Sequence, residues 1–271
     1  MDYLRLVPAL TPPRPSLPEA RLQELFADQG YLVLPGLVDP SVVEPLRHSV
    51  LAEFERMSRK GKLFQGSGVM SGHLNCFPGR AARAVYDALE RQGIIDLAST
   101  LAAFPLTLPN VGCNLNLPGS FAQHEHIDGD ANRPFLVVNV AMVDTTLNNG
   151  ALEIFPRTQD KSRRYWEFLA SRPERLRHAM AQGDVLIRTS SLWYREMPNR
   201  AQDPRPMLAF SWEDGGSKLA DPFEAHKGQL AFLPNRFRTD WSGRLRERLS
   251  ITAPHVDTAL RIAASLMPNT T

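Results

Sequence analysis

A mainly β domain with flanking helices, its strands closed into a barrel or sandwich, is the fold class that three features of the sequence predict. From residue 106 onward, short apolar runs at 106–117, 135–143, 151–155, 185–188 and 207–212 are separated by turn residues, the spacing of an all-β architecture. Residues 16–103 instead carry helix punctuation. The 271-residue length and 43% hydrophobic content suit one sizeable core, so the expected organisation is an extended arm over 1–18 and a single domain over 19–271.

The elements follow in order. The arm mixes Asp2, Arg5 and Arg14 with five prolines and lacks the apolar stretch of a signal peptide. Ser16 and Glu19 form a potential capping box ahead of the stripe Leu22, Leu25 and Phe26, with Gly30 to close the helix. Tyr31 to Leu34, aromatic and aliphatic with a β-branched Val33, reads as a strand; Pro35-Gly36 is a turn. Asp39-Pro40 starts a second helix that aligns Val43, Leu46, Val50, Leu51 and Phe54 on one face. Glycines and polar residues predict a loop over 60–79, and 81–103 predicts a helix broken near Gly93. Within the β region, 160–182 is a long charged stretch that reads as a helix-like insertion, packed through Tyr165, Trp166, Leu169, Leu176 and Met180. The sequence after Gly215 shows no clear pattern.

Charge narrows the partners. Lys and Arg total 31 against 29 Asp and Glu, so the net charge of +2 provides no field for nucleic acid or an anionic membrane, and a small-molecule substrate is expected. Oligomeric state is not encoded in any recognisable pattern. Cys76 and Cys113 are too few for a disulfide framework and read as buried thiols of a reducing, cytoplasmic compartment. The interrupted basic run 236–248 reads as a solvated face.

Chemistry concentrates in Gln123-His124-Glu125-His126-Ile127-Asp128-Gly129-Asp130. Alternation along a strand puts His124, His126 and Asp128 on one side, and positions two apart lie roughly 6.5–7 Å from each other, close enough to share an ion. His126 with Asp128 is therefore the preferred pair. One imidazole and one carboxylate, completed by a distant histidine, make the facial triad of oxygen-activating Fe(II) sites. The HxHxD spacing also fits zinc hydrolases, but the β-rich surroundings and Gly129 argue against that fold. A cupin, with its HxH and later histidine, is the structural runner-up.

The order of motifs resembles a known family. Gly30-Tyr31-Leu32-Val33-Leu34-Pro35-Gly36, His126-Ile127-Asp128-Gly129, Asn149-Gly150-Ala151-Leu152-Glu153-Ile154-Phe155-Pro156, Gly183-Asp184 and Arg205 are together similar to the phytanoyl-CoA dioxygenase-like family over roughly residues 20–212. The resemblance implies a double-stranded β-helix, a jelly-roll or cupin-like fold, with Fe(II) as metal and 2-oxoglutarate as cosubstrate. It assigns His126 and Asp128 to iron and Arg205 to the distal carboxylate of 2-oxoglutarate, a role that suits a guanidinium fork. Asn114 and Asn116 alternate on a predicted strand and so can share one face, where they are candidates to hydrogen-bond the cosubstrate, the alternative being amides satisfied within the core or a turn.

One position departs from the pattern. The residue after Trp193, where the family has its third iron ligand, is Tyr194, and no histidine lies between His178 and His226. A phenol has a reference pKa near 10 and must deprotonate to bind metal, which favours ferric over ferrous iron. His124, His226 and His255 are the only substitutes to weigh, and each lacks either spacing or a supporting motif. The expected function is an oxygenase-like protein that hydroxylates or desaturates a small organic molecule through an altered triad. The alternative is a redox-neutral isomerase or cyclase, or a binding protein, on the same fold, with Tyr194 as donor or acid. Gln159 is expected to stabilise a turn, Trp193 to pack, and His73 with Asn75 to lie in the 60–79 loop, possible neighbours of the substrate mouth.

Overall fold

The computed structural model describes residues 18–60, 70–102, 104, 106–130, 132–160, 164–212, 220–232 and 241–266, together with the backbone of 5–7. Ser16 and most of the proline-rich arm lie outside the described residues, as do 61–69 of the expected loop, 161–163 of the expected insertion and 236–240 of the basic run.

Eleven strands are present among the described residues: β1 Arg5–Val7, β2 Tyr31–Leu34, β3 His73–Phe77, β4 Asn110–Asn116, β5 Leu136–Ala141, β6 Glu153–Ile154, β7 Leu176–His178, β8 Val185–Thr189, β9 Tyr194–Arg195, β10 Arg205–Trp212 and β11 Ala231–Phe232. They form two sheets. The larger runs β11-β3-β4-β10-β5-β8-β2 with every pair antiparallel; the smaller runs β1-β7-β6-β9, where β1 joins β7 in parallel.

Register sorts the large sheet into two faces. Arg205 pairs with Asn116, which pairs with His73; Met207 pairs with Asn114, which pairs with Asn75; Ala209 pairs with Asn139; Val137 pairs with Arg188. Cross-strand partners project to the same side, so one face carries His73, Asn75, Asn114, Asn116, Asn139, Arg188 and Arg205. The other face is apolar: Leu32, Leu34, Leu74, Cys76, Cys113, Leu115, Val138, Val140, Val185, Ile187, Leu208, Phe210 and Trp212 are all buried in one cluster. Each such side chain is worth about 1.5–3 kcal/mol when fully buried. Helices α1 Glu19–Gln29, α2 Pro40–Arg59, α3 Arg83–Arg91 and α4 Ile94–Leu101 cover this face through Leu22, Val43, Leu46, Val50, Val85, Leu89 and Ile94.

Local chemistry sets these boundaries. Asp39 caps α2 by accepting from the Ser41 amide at 2.8 Å, and Gly30 closes α1 at φ 81°, donating its N–H to the Phe26 carbonyl. α1 begins after Pro18 without a side-chain cap. The Gly183-Asp184 turn ties layers together, because the Asp184 carboxylate accepts from the amides of Gly36 at 2.7 Å and Ala181 at 2.8 Å.

Two expectations are corrected. The 60–79 region contains β3, where Leu74 and Cys76 alternate with His73 and Asn75, so a strand sits where glycines and polar residues predict a loop. Among the described residues, the 160–182 stretch is helical over α5 Tyr165–Ser171 alone; Leu176–His178 pairs with β6 to extend the small sheet. Trp166 is 37% exposed, while Tyr165 and Phe168 do the packing. The C-terminal region forms a helical hairpin, α6 Trp241–Thr252 and α7 Pro254–Leu266. No helix among the described residues is long and apolar enough to cross a membrane.

Candidate functional site

The site lies on the polar face of the large sheet, where the segment carrying His126 and Asp128 runs antiparallel to 190–196. His126 and Tyr194 exchange both backbone hydrogen bonds at 3.0 Å, while the Asp128 amide donates to the Ser190 carbonyl and the Gln123 amide to the Glu196 carbonyl, each at 2.9 Å. This pairing places the His126 and Tyr194 rings side by side, centroids 4.5 Å apart. The Tyr194 hydroxyl donates to Asp128 Oδ1 at 2.9 Å. His126, Asp128 and Tyr194 thus converge.

The group that sequence reasoning missed is Arg188. From β8 its Nη2 donates to Asp128 Oδ2 at 2.6 Å, and its guanidinium lies 4.1 Å from the centroid of the Tyr194 ring. Both Asp128 oxygens are therefore engaged by side chains of the chain itself. Burial pushes the Asp128 carboxyl up, but the Arg188 charge and the hydrogen bonds from Arg188 and Tyr194 outweigh it and hold the pKa below its usual value. Burial, reinforced by Asp128, raises the Tyr194 phenol well above 10, so it keeps its proton.

His126 Nδ1 lies 2.9 Å from the His124 carbonyl oxygen; a carbonyl only accepts, so Nδ1 bears the proton and Nε2 the lone pair. Among the described residues Nε2 has no hydrogen-bond partner. Desolvation lowers the pKa of His126 and lowers that of His124 further, the two rings lying 5.2 Å apart. Both are neutral at pH 7. His226 packs against Phe77 instead, at 5.3 Å between ring centroids.

Arg205, fully buried at the start of β10, makes an ion pair with Glu196. The Glu196 Oε2 atom also accepts from Asn116 Nδ2 at 3.3 Å and faces His73 Nδ1 at 3.6 Å. Burial raises the Glu196 carboxyl, yet Arg205 and His73 bring it down to about 2. Asn116 is further committed to the Met197 carbonyl at 2.9 Å and the Ser120 hydroxyl, and Asn114 Nδ2 reaches Asn75 Oδ1 at 3.4 Å. Asn199 braces the loop between Glu196 and Arg205, donating to the carbonyls of Asn116 at 3.1 Å and Asp203 at 2.8 Å.

Space remains beside these groups. At Gly112, on the same face, a Cβ atom would have nothing within 4 Å, and Ala209 on the next strand is only partly buried. Asn114 Oδ1, Asn139 Oδ1 and the Nε and Nη1 atoms of Arg188 are buried without partners, an incomplete hydrogen-bonding set of the kind a ligand satisfies. The remaining motif residues are structural. Gln159 donates to the Ala27 carbonyl at 2.9 Å, Trp193 stacks on Phe168 at 4.2 Å, and Cys76 faces Cys113 as a free thiol. Among the described residues, no three His, Cys, Asp or Glu side chains gather to hold a metal ion.

No family model matches the chain. Solved structures do. AviO1 from Streptomyces viridochromogenes Tue57 is similar with a TM-score of 0.58 at 19% identity, over 76% of this chain and 99% of its own. SnoK, a non-haem α-ketoglutarate-dependent carbocyclase from nogalamycin biosynthesis, gives 0.57 at 14% identity, over 81% and 94%. The epimerase SnoN, in complex with Fe3+, α-ketoglutarate and nogalamycin RO, gives 0.54 at 21% identity, over 72% and 83%. At these identities the likeness speaks to architecture, and the chain has the fold of the non-haem, α-ketoglutarate-dependent enzymes.

Proposed function

We propose that this chain is a cytoplasmic enzyme, a jelly-roll of the phytanoyl-CoA dioxygenase-like type over 19–271, that acts on a small organic molecule by redox-neutral acid–base chemistry such as isomerisation or cyclisation. The observation that carries this reading is that each oxygen of Asp128 already accepts a hydrogen bond from the chain itself, Oδ1 from Tyr194 at 2.9 Å and Oδ2 from Arg188 at 2.6 Å, with a protonated phenol where a second imidazole would stand. A two-His-one-carboxylate iron site needs a second imidazole beside the carboxylate. Here the third corner is a protonated phenol, and a guanidinium fixes positive charge on the carboxylate that iron would use. So arranged, the residues do not fit a resident iron(II) ion.

They do suit proton transfer. His126 offers a neutral imidazole with its Nε2 lone pair free, and the adjacent Asp128 carboxylate stabilises the imidazolium formed when Nε2 takes a proton from the substrate. Arg188 and Tyr194 keep Asp128 ionised and in place. The Arg188 guanidinium, whose Nε and Nη1 atoms are buried without partners, supplies positive charge close to the site, which favours a substrate oxygen that gains negative charge.

A second reading, an Fe(II)- and 2-oxoglutarate-dependent oxygenase with an altered triad, is favoured by the presence of His126, Asp128 and Arg205 and by the Fe3+ and α-ketoglutarate bound to SnoN. An anaerobic titration with Fe(II) and 2-oxoglutarate, followed by oxygen and a succinate assay, separates the two. The redox-neutral reading expects neither binding nor succinate. Tight binding of both with oxygen-dependent succinate would replace it with the oxygenase.

A further inference from the structure

We propose that Glu196 is a built-in carboxylate that occupies Arg205 in place of a small external one, so that this end of the site carries its own counter-ion. The inference deepens the redox-neutral reading, extending it from the metal position to the carboxylate clamp.

The case rests on geometry. Arg205, Asn116 and His73 occupy one cross-strand row on β10, β4 and β3 and project from the same face. Arg205 and Asn116 converge on one atom, Glu196 Oε2, through the ion pair and a hydrogen bond at 3.3 Å, and the His73 ring, held by Nε2 donating to the Phe121 carbonyl at 2.6 Å, sits with Nδ1 3.6 Å from the same atom. Glu196 reaches them from a braced backbone. Its carbonyl accepts from the Gln123 amide at 2.9 Å, its amide donates to Gln123 Oε1 at 3.3 Å, and Asn199 anchors the loop that follows.

Arg205 is buried completely, so its charge needs an anion within the fold, and Glu196 is that anion. The match is nonetheless partial. Arg205 Nη2 is engaged, while Nε and Nη1 are buried without partners. A free carboxylate commonly takes two parallel N–H bonds from a guanidinium, which a side chain tethered to the 190–196 segment does not supply here. Removing the Glu196 carboxylate would leave the guanidinium fork and the Asn116 amide facing vacated space. A small aliphatic carboxylate such as acetate, succinate or 2-oxoglutarate complements that set.

The test is chemical rescue. Wild type, Glu196→Ala and the double variant Glu196→Ala/Arg205→Met are melted in chloride and in acetate, succinate or 2-oxoglutarate at matched ionic strength. Glu196→Ala should melt lower than wild type in chloride and recover saturably toward it with at least one carboxylate. Wild type and the double variant should show no carboxylate-specific gain. If Glu196→Ala does not fold in chloride, its refolding yield in carboxylate against chloride reads the same effect. A Glu196→Ala protein indifferent to every carboxylate overturns the proposal, as does a wild type that gains as much as the variant. The two ideas fail separately: absence of rescue leaves the pairing of Asp128 with Arg188 and Tyr194 untouched, whereas oxygen-dependent succinate formation sinks the redox-neutral reading.

Discussion

Replacing Arg188 by Met tests whether Asp128 depends on an internal cation. The pair lies 2.6 Å apart, with the Arg188 side chain 5% and that of Asp128 26% exposed, so solvent and salt screen it only in part. Removing one partner of a buried pair costs about 3–5 kcal/mol, because the other charge stays desolvated and unpaired. For domains of 150–250 residues, each kcal/mol lowers the melting midpoint by about 2–4 °C, so a fall on the order of 10 °C is expected. Asp128→Asn should cost a similar amount by stranding Arg188. The Asp128→Asn/Arg188→Met double variant strands neither, and its loss should fall short of the summed single losses by about 2–3 kcal/mol. Thermal and urea unfolding of the four proteins close this cycle. Additive losses would refute the reasoning, as would wild-type stability in Arg188→Met, since either means that Asp128 does not rely on Arg188.

Three further outcomes are expected. His178, hydrogen-bonded to the Tyr31 hydroxyl at 2.8 Å, is lowered by burial from 6.5 to about 4, so the unfolded chain protonates first: its contribution is full above about pH 6.5 and is lost as pH falls toward 4, about 3 kcal/mol in all. His178→Gln should flatten that acid limb in urea titrations, and an unchanged limb would exclude His178 as its source. Gly183→Ala places a Cβ 1.9 Å from the Val38 carbonyl oxygen at φ 90°, a backbone clash expected to cost about 4 kcal/mol or more; wild-type melting of this variant would contradict it. Trp193→Ala removes the stack on Phe168 and should cost about 3–5 kcal/mol, with limited proteolysis showing easier cleavage around α5.

The strands of the large sheet that run through continuous apolar sequence are legible because burial on a sheet demands β-branched and aliphatic side chains. β3 is not, since His73 and Asn75 lend it polarity and glycines surround it, although Leu74 and Cys76 preserve the period of two. β7 hides within a charged stretch because it pairs with the short strands β1 and β6. At the site, the HxD spacing and Tyr194 point to residues that do meet. Arg188 left a readable signal: a charge after Val185-Leu186-Ile187, within a buried strand, requires a buried partner. Glu196 left none, because its ion pair depends on the Asn199 loop folding it back toward Arg205.

The two faces of the large sheet also govern how such a protein diverges. Positions facing the helices are constrained by volume, whereas those one residue away face the site and answer to charge. A substitution at Arg188 or Arg205 therefore changes what the molecule can hold without asking α1–α4 to repack. The frame is modular in this sense: the charge on one row of side chains can change while the opposite row keeps the packing that holds the architecture.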